Sequence, residues 1–374
     1  MSKIKVLVVD DSAFMRKVIS DMIDSDQELE VIGTARNGKD ALKKLEALAP
    51  DVITLDVEMP ELDGLETLKR IQTEFKLPVI MLSSTTTAGA ENTLIALEHG
   101  AFDFISKPSG PISLDLHKVQ DELKEKVKLA YSSHQRNKQK LEQRATKSPT
   151  VRKTLVSKPV VHTSPIQQST QRTRMGNQAS LSSIILIGTS TGGPKALHQL
   201  LSYLPKLENV AILIVQHMPP GFTKSLANRL DQQTDHTVRE GLHGEVVRPG
   251  HIYIAPGGYH MILSQQAKNQ PITIELNQEP PVNGHRPSVN TLFQSAISIK
   301  QDIPLLTVVM TGMGKDGTEG LKSLAEAKTV YTLAEDESTC IVYGMPRAVV
   351  EAQLSNEVLP LHEIHLAIER WLIH

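Results

Sequence analysis

Cysteine is almost absent from this chain of 374 residues, in which Cys340 is the only one. A single cysteine cannot form an intramolecular disulfide, a thiolate metal cage or the disulfide framework of a secreted protein, so we expect a reducing compartment. No apolar run approaches the length that spans a membrane, and the first strand-like stretch ends in two aspartates where a signal peptide has small neutral residues. The sequence therefore predicts a cytoplasmic protein with no direct membrane insertion.

Charge of one sign is also lacking, since the net charge is -2 with 22% charged and 40% hydrophobic residues. Such a balance argues against a nucleic-acid or membrane role for the whole molecule. At roughly 150 residues per domain the length predicts two domains, each large enough to bury its own core.

Short apolar runs alternate with longer amphipathic stretches from Ile4 to about Lys128, and a second such series begins at Ser183. Strands that alternate with helices predict a parallel sheet covered on both faces. The fold class expected is α/β, with two doubly wound parallel-sheet domains. In the second series Gly257 and Gly258 separate HIYIAP from MILS, which predicts a hairpin turn and hence an antiparallel excursion in that domain.

The stretch between the two series, from about Tyr131 to Ser180, is rich in Gln, Ser, Thr, Pro, Lys and Arg and has little that could pack. This composition predicts a disordered linker. Its charged residues are almost all basic, with Glu142 as the one acid. The excess favours a solvated tether extended by self-repulsion, and an anionic partner is the alternative.

Polar side chains follow successive strands of the first domain where each strand ends. Asp10 and Asp11 follow VLVV, Asp56 follows VITL, Ser83 follows PVIML, and Lys107 follows DFIS. The carboxyl ends of parallel strands share one edge of a sheet, so these groups are expected to gather there. Three carboxylates in close proximity repel each other and attract a hard dication with oxygen ligands, for which Mg²⁺ is the natural candidate. Each Asp taken alone could equally be a helix N-cap.

This half of the chain resembles the receiver domains of two-component response regulators. The resemblance is carried by the Asp pair, the segment DVEMPELDG, the hydroxyl residue and the Lys-Pro pair. It implies a flavodoxin-like fold and a domain that is phosphorylated on an aspartate in the presence of Mg²⁺. The residue roles that it implies are phosphorylation at Asp56, metal binding at Asp10, Asp11 and Asp56, and switch or phosphate-sensing roles at Ser83, Phe104 and Lys107.

In the second domain GTSTGG follows the strand IILI and satisfies Gly-x-Ser-x-Gly, with Ser190 at its centre. A serine nucleophile needs a base and an orienting carboxylate at the same sheet edge. His217 directly ends the strand VAILIVQ, and Asp316 follows LLTVVMT. The predicted triad therefore has the order Ser, His, Asp. The alternative is a glycine-rich turn in which Ser190 only caps a helix.

Two nucleotide-binding patterns compete with the hydrolase. Gly312, Gly314 and Gly317 match Gly-x-Gly-x-x-Gly with Glu335 further on, although Asp316 would then lie beside the pyrophosphate. GTSTGGPK is similar to a phosphate-binding loop but lacks its Gly-Lys-Ser/Thr ending. A non-catalytic output domain that binds DNA or protein is a further alternative, although such modules are usually helical and basic.

The second half is similar to the catalytic domains of the protein-glutamate methylesterases of bacterial chemotaxis, through GTSTGGP, QHMPPGFT, HIYIAPGGYHM, HRPSVNTLF, TGMGKDG and YGMPRAV. The resemblance implies a Rossmann-like domain that hydrolyses γ-glutamyl methyl esters on chemoreceptors, releases methanol and deamidates particular glutamines, with no cofactor for the hydrolase. It implies a chemotaxis histidine kinase as phosphodonor and methyl-accepting chemoreceptors as substrates. The residues that it assigns to the reaction are the nucleophile Ser190, the general base and acid His217, the orienting acid Asp316, Thr191 in positioning, and the Met313 backbone N–H at the oxyanion.

Together the two resemblances predict a receiver domain over 1–128, a flexible basic linker over 129–180 and a methylesterase domain over 181–374. Lys315 and Asn290 depart from the motifs of the family, and the linker is longer than usual. Two active sites on one tethered chain motivate a control hypothesis. In it the unphosphorylated receiver partly covers the cleft around Ser190, and phosphorylation of Asp56 weakens that docking.

Overall fold

A computed structural model describes residues 3–107, 115–146 and 180–373 of the chain. The first domain contains a five-stranded parallel sheet in the order β2-β1-β3-β4-β5. Its strands are β1 (Ile4–Val9), β2 (Leu29–Ala35), β3 (Val52–Asp56), β4 (Val79–Ser83) and β5 (Asp103–Ser106). Its helices are α1 (Ala13–Asp24), α2 (Gly38–Leu48), α3 (Gly64–Arg70, continued by a π-helical turn Ile71–Phe75), α4 (Thr87–Glu98) and α5 (Asp115–Thr146).

Burial explains the parallel sheet, because β3 and β4 are buried along their whole length. Continuous apolar strands of this kind suit a sheet with helices on both faces. The helix that follows β1 is capped by Ser12, whose hydroxyl accepts a hydrogen bond from the Met15 N–H. Asp10 and Asp11 are therefore not the caps of α1, which leaves their carboxylates at the sheet edge for another use.

Helix α5 extends well past the predicted end of the first domain. The prediction of a flexible linker is wrong for residues 129–146, which are helical in the structure. Lys, Gln, Glu and Arg are strong helix formers, and a composition test for disorder does not register that preference. Ser133, in this extension, also donates a hydrogen bond to the Ile341 carbonyl of the second domain at 3.1 Å. Residues 147–179 of the predicted linker lie outside the described residues, and the domain boundaries stay a prediction.

The second domain contains a seven-stranded parallel sheet in the order β15-β14-β13-β6-β7-β10-β8 and a small antiparallel sheet in the order β11-β12-β9. Its strands are β6 (Ser183–Thr189), β7 (Val210–Gln216), β8 (Thr237–Glu240), β9 (Glu245–Val246), β10 (His251–Ile254), β11 (His260–Ser264), β12 (Thr273–Asn277), β13 (Leu305–Val309), β14 (Val330–Glu335) and β15 (Glu357–Leu359). Its helices are α6 (Gly193–Tyr203), α7 (Phe222–Gln233), α8 (Val289–Ser295, followed by a 3-10 turn Ala296–Ser298), α9 (Thr318–Ala327), α10 (Met345–Glu351) and α11 (Leu361–Ile373).

The antiparallel excursion is present, but the predicted hairpin partners are wrong. β10 pairs in parallel with β7 and β8, whereas β11 turns away and pairs antiparallel with β12. Both edges of β10 are already occupied, so the strand after Gly257 and Gly258 must find a new partner. Gly257 packs so closely on Pro219 that a Cβ there would lie 2.4 Å from the Pro219 backbone.

The α/β class with two doubly wound parallel sheets is confirmed by this topology. In the second sheet β6 lies between β13 and β7, so the residues after these three strands emerge side by side at the carboxyl edge. Within the described ranges, none of the helices combines the length and the apolar character needed to cross a bilayer.

Candidate functional site

The first candidate site lies at the carboxyl edge of the first sheet, where Lys107 bridges two aspartates. Its Nζ lies 2.9 Å from Asp10 Oδ2 and 2.7 Å from Asp56 Oδ2. Both aspartates are almost fully buried, whereas Asp11 is exposed. Burial opposes the charge on Lys107, but its bonds to Asp56 and Asp10 outweigh this and raise its pKa. The sequence had predicted all four of these residues at this edge, and the structure brings them together.

The three carboxylates form a cluster that fits a hard cation. One oxygen from each of Asp10, Asp11 and Asp56 lies within 4.8 Å of the others. Burial raises the pKa of Asp56 to about 6, although Lys107 acts against that rise. An all-oxygen donor set of this kind is the one that Mg²⁺ prefers, so these residues suit the metal that the sequence predicts.

The two predicted switch residues, Ser83 and Phe104, face different parts of the structure. Ser83 accepts a hydrogen bond from the Thr93 hydroxyl at 2.6 Å and bonds to the Gly89 carbonyl, so it faces α4. Among the described residues no hydrogen bond joins it to Asp56. Phe104 is buried and stacks on Phe222 of the second domain, with ring centroids 4.6 Å apart and planes at 16°.

The second candidate site begins at the tight turn after β6, where Ser190 is half-buried. The Ser190 N–H donates to the Thr311 carbonyl, and the Gln216 side-chain amide donates to the Ser190 carbonyl at 2.9 Å. Gly193 is required by this packing, since a Cβ there would lie 1.9 Å from Gln216 Oε1. Helix α6 has Gly192 as its N-cap residue. The alternative in which Ser190 only caps that helix is therefore wrong.

A buried imidazole–carboxylate pair lies beside this turn. His217 Nε2 lies 2.8 Å from Asp316 Oδ2, and the side chains are 6% and 1% exposed. A carboxylate can only accept, so Nε2 carries a proton, and in the neutral imidazole Nδ1 then has the free lone pair. Asp316 also accepts bonds from the Ser288 hydroxyl and from the Val289 and Asn290 N–H groups. Burial would raise the pKa of Asp316, but these bonds and His217 hold it below its ordinary value.

The structure does not join the predicted nucleophile to the predicted base by a hydrogen bond among the residues that it describes. The residues that precede them, Thr189 and Gln216, are register partners in adjacent strands, so Ser190 and His217 leave the sheet at the same level. His217 Nδ1 is buried and has no hydrogen-bond partner within the described ranges. The acceptor edge of the imidazole is thus available to a hydroxyl from the adjoining turn.

Thr191 bonds to the first domain, and Met313 borders an apolar cluster to which both domains contribute. The Thr191 hydroxyl donates to Asp103 Oδ2 at 2.6 Å, and that carboxylate lies 3.3 Å from Lys126 Nζ. Met313 packs against an apolar cluster that includes Leu123 of α5. The residue after the predicted nucleophile is therefore held by the domain that carries Asp56.

A further ion pair joins the domains away from the site. The Arg229 guanidinium on α7 donates two hydrogen bonds to the carboxylate of Glu98 at the end of α4. Burial would raise the pKa of Glu98, but Arg229 outweighs it and lowers that pKa. Together with the Phe104–Phe222 stack, this pair fixes the face that α4 and β5 present to the second domain.

Comparison with known proteins agrees with this geometry. A CheB methylesterase family model matches residues 185–368, and a response regulator receiver domain model matches residues 6–117. A protein-glutamate methylesterase/protein-glutamine glutaminase of Halalkalibacterium halodurans is 53% identical, over 99% of this chain and 98% of that protein. The protein of the same name from Bacillus subtilis is 47% identical, over 98% of this chain and 97% of that protein. This chain belongs to the CheB family. The crystal structure of the Thermotoga maritima CheB methylesterase catalytic domain is 42% identical and covers 50% of this chain and 96% of that chain, with a TM-score of 0.47.

The family membership confirms the resemblance predicted from the sequence motifs. Membership of the CheB family also disfavours the nucleotide-binding alternative. The positions of Glu335 and Asp316 disfavour it as well. Glu335, which that alternative placed at a ribose, is buried and accepts hydrogen bonds from the Thr311 N–H and the Thr339 hydroxyl. Asp316, in the glycine-rich turn, is bonded to His217. Asn290, in the segment HRPSVNTLF, bonds through its side-chain oxygen to the Gly317 and Gly320 N–H groups at the start of α9.

Sequence reasoning missed two residues of this CheB-family site. Asp103 reaches Thr191 only because the domains dock, so no local pattern in the sequence indicates that contact. His285, in the loop before α8, stacks its ring on His217 with centroids 3.8 Å apart. The Asn-Gly pair at 283–284 was the available signal, because it favours a tight turn that could carry His285 back over the sheet.

Proposed function

We propose that this chain is a phosphorylation-controlled serine hydrolase that removes methyl groups from γ-glutamyl esters on chemoreceptors and deamidates particular receptor glutamines. The observation that carries the proposal is the 2.8 Å contact between His217 Nε2 and Asp316 Oδ2 beside the Ser190 turn. Membership of the CheB family supports the choice of substrate, because its curated relatives carry the names of both activities.

The proposed first step is attack by Ser190 Oγ on the ester carbonyl carbon. The hydroxyl proton passes to His217 Nδ1 as the new C–O bond forms. The oxyanion then collapses, the bond to the methoxy oxygen breaks, and His217 returns the proton so that methanol leaves. Water hydrolyses the acyl-enzyme by the same proton route, and with a glutamine substrate ammonia is the leaving group. The Met313 N–H is the proposed donor to the oxyanion.

Asp316 has the part of the orienting carboxylate. Its low pKa keeps it ionised, so it holds the Nε2–H tautomer of His217 and stabilises the imidazolium that forms. The missing hydrogen bond between Ser190 and His217 fits an uncomplexed, docked state, since catalytic hydrogen bonds often shorten only when substrate binds. Thr191 has to be free of Asp103 for the turn to adjust, which links the chemistry to the receiver.

In the receiver domain Asp56 is the proposed phosphoacceptor, and a chemotaxis histidine kinase is the proposed donor. Asp10, Asp11 and Asp56 would hold Mg²⁺, which when bound neutralises charge on the carboxylates and on the incoming phosphoryl oxygens. Lys107 already contacts Asp56 and is placed to pair with the phosphoryl group instead. The Ser83 hydroxyl would have to leave Thr93 to reach the same group.

Control is proposed to act through the docked face of the receiver. Asp103 bonds to Thr191, and Phe104 stacks on Phe222, so two consecutive residues of β5 contact the catalytic domain. A rearrangement at Asp56 that reaches β5 and α4 would weaken these contacts and expose Ser190. Chemoreceptor helices in the cytoplasm are the proposed substrates of the exposed site.

The test is methanol release from a methylated chemoreceptor fragment by the full chain, measured with and without a small-molecule phosphodonor and Mg²⁺. The proposal expects release by the wild type, faster with phosphodonor, and labelling of Ser190 by a serine-directed phosphonate. A chain that releases no methanol in either condition, although it is folded and phosphorylated, contradicts the proposed function.

A further inference from the structure

A second histidine lies flat against the proposed catalytic base. The rings of His285 and His217 have centroids 3.8 Å apart and planes within 8° of parallel. The Nε2 edge of His217 is held by Asp316, and its side chain is 6% exposed. Asp316 fixes the Nε2 edge of His217 and His285 covers one face of its ring. The ring therefore has little freedom to rotate, and the direction of its Nδ1 edge is constant.

The position of His285 is set by a tight turn. The backbones of Val282 and His285 exchange two hydrogen bonds of 3.0 Å. Between them Asn283 and Gly284 adopt left-handed conformations, with φ of 51° and 84°. Asn-Gly is the favoured pair for such a turn. The turn therefore fixes where the backbone of His285 lies.

The same segment also fixes the carboxylate of the pair. Three residues beyond His285, Ser288 caps α8 and donates to Asp316 Oδ1 at 2.9 Å. The next residue, Val289, donates its N–H to Asp316 Oδ2 at 2.7 Å. Residues 285–289 thus contact His217 through the ring of His285 and Asp316 through two hydrogen bonds. The geometry of the His217–Asp316 pair therefore depends on this segment at both members.

A neutral His285 is a favourable neighbour for His217, which becomes an imidazolium in the proposed reaction. Burial, with the neighbouring His217 next, lowers the pKa of His285 to about 4. The charged or titratable groups that face it are His217 and Asp316 from the catalytic domain and Glu122 and Lys126 from receiver helix α5. Near neutral pH His285 is therefore uncharged. A neutral aromatic face attracts a cation, whereas a second imidazolium would repel it.

We propose that His285 is a positioning residue for the hydrolase, whose ring holds the Nδ1 edge of His217 toward Ser190 throughout the reaction. The proposal rests on the proposed function of the triad. His285 itself takes no proton: the proton of Ser190 goes to His217 Nδ1 and from there to the leaving group. Misplacement of a catalytic group by about 1 Å can cost about 100-fold in rate, so loss of the stack is expected to lower kcat by about 10- to 100-fold.

The experiment compares three substitutions in the full, phosphorylated chain. His285→Ala removes the ring, His285→Leu fills the space without a flat face, and His285→Phe keeps a flat aromatic face that cannot titrate. His251→Ala is the matched control, because His251 is a half-buried histidine of β10 whose ring stacks on Tyr253 with centroids 6.1 Å apart. Methanol release gives kcat and KM, and thermal unfolding gives Tm.

The expected result is a kcat about 10- to 100-fold below wild type in His285→Ala and His285→Leu, with KM within about twofold. His285→Phe should recover most of the lost kcat, and His251→Ala should match wild type. A wild-type kcat in His285→Leu, or a His285→Phe as slow as His285→Leu, overturns the inference. The Leu and Phe variants keep the test decisive even where His285→Ala does not fold.

The pH profile separates positioning from proton transfer. In His285→Phe the acid limb of kcat should keep the wild-type midpoint, because His285 is already neutral over that range. A shift of about one pH unit or more would show that His285 exchanges a proton during the reaction and would overturn the positioning role. Ser190→Ala separates the two proposals: if it stays active, the proposed function fails and this inference with it. If it is inactive while every His285 variant is fully active, only the inference is overturned.

Discussion

The two candidate sites differ in how complete they are in the docked chain. In the receiver, Lys107 already contacts both Asp10 and Asp56. In the catalytic domain, His217 contacts Asp316, but no hydrogen bond joins it to Ser190 among the described residues. The incomplete site is the one that the other domain touches. This difference is what the proposed control requires, since the receiver would then act on the turn that carries Ser190.

The largest expected effect comes from removing the nucleophile. Ser190→Ala should lower methanol release by about 10⁴- to 10⁶-fold, because the other two residues cannot form an acyl-enzyme. Stopped-time methanol assays on a methylated receptor fragment measure the loss. Ser182→Ala, an exposed serine just before β6, serves as the control and should retain the wild-type rate. A Ser190→Ala chain within tenfold of wild type would contradict the triad.

A slightly smaller loss is expected from the carboxylate. Asp316→Asn should lower kcat by about 10³- to 10⁴-fold, since an amide no longer enforces the Nε2–H tautomer of His217 or stabilises its cation. Asp302→Asn, on an exposed loop before β13, provides the matched control. The methanol-release assay measures this loss. An Asp316→Asn variant with nearly normal kcat would show that Asp316 is not the orienting carboxylate.

The coupling between the two sites is tested by Asp56→Asn. This variant should keep the basal rate and lose the stimulation by phosphodonor and Mg²⁺, which is expected to be about 5- to 100-fold in wild type if docking changes by a typical coupling energy. Asp21→Asn, on the exposed face of α1, should respond as wild type does. Stimulation that persists in Asp56→Asn would place the phosphoacceptor elsewhere.

The smallest effect is expected from the peripheral ion pair between the domains. The Arg229 and Glu98 side chains are 26% and 28% exposed, so solvent screening limits the value of the pair. Arg229→Ala should raise the basal rate by about two- to fivefold through weaker docking. The double variant Glu98→Arg with Arg229→Glu should restore the low basal rate.

Arg347→Ala breaks an ion pair with Glu351 inside α10 and is the control for the loss of a surface arginine. It should leave the basal rate unchanged. A basal rate in Arg229→Ala that equals wild type, or a double variant as active as Arg229→Ala, would show that this pair does not hold the domains together.

Much of both sites could be predicted because strand ends determine them. Asp10, Asp56 and Lys107 each follow a buried apolar strand, and parallel strands bring such residues to one edge. Ser190 and His217 follow adjacent strands for the same reason. These are local patterns, and their spatial consequence follows from the α/β class alone.

The features that were missed depend on contacts between distant segments. The partner of β11 could not be read from its sequence neighbours, because both edges of β10 are used by β7 and β8. The His285 stack requires a turn to fold back over the site, and the Asp103–Thr191 bond requires the domains to dock. The helix over residues 129–146 was not predicted, because its polar composition is typical of disorder while its Lys, Gln, Glu and Arg residues have high helix propensity.

The decisive measurement is the rate at which a serine-directed phosphonate labels the full chain, with and without phosphodonor and Mg²⁺. Peptide mapping of the labelled protein identifies the modified residue. We expect that labelling occurs at Ser190, that phosphodonor accelerates it, and that Asp56→Asn abolishes the acceleration. Labelling at another serine, or a rate at Ser190 that phosphorylation leaves unchanged, would contradict it.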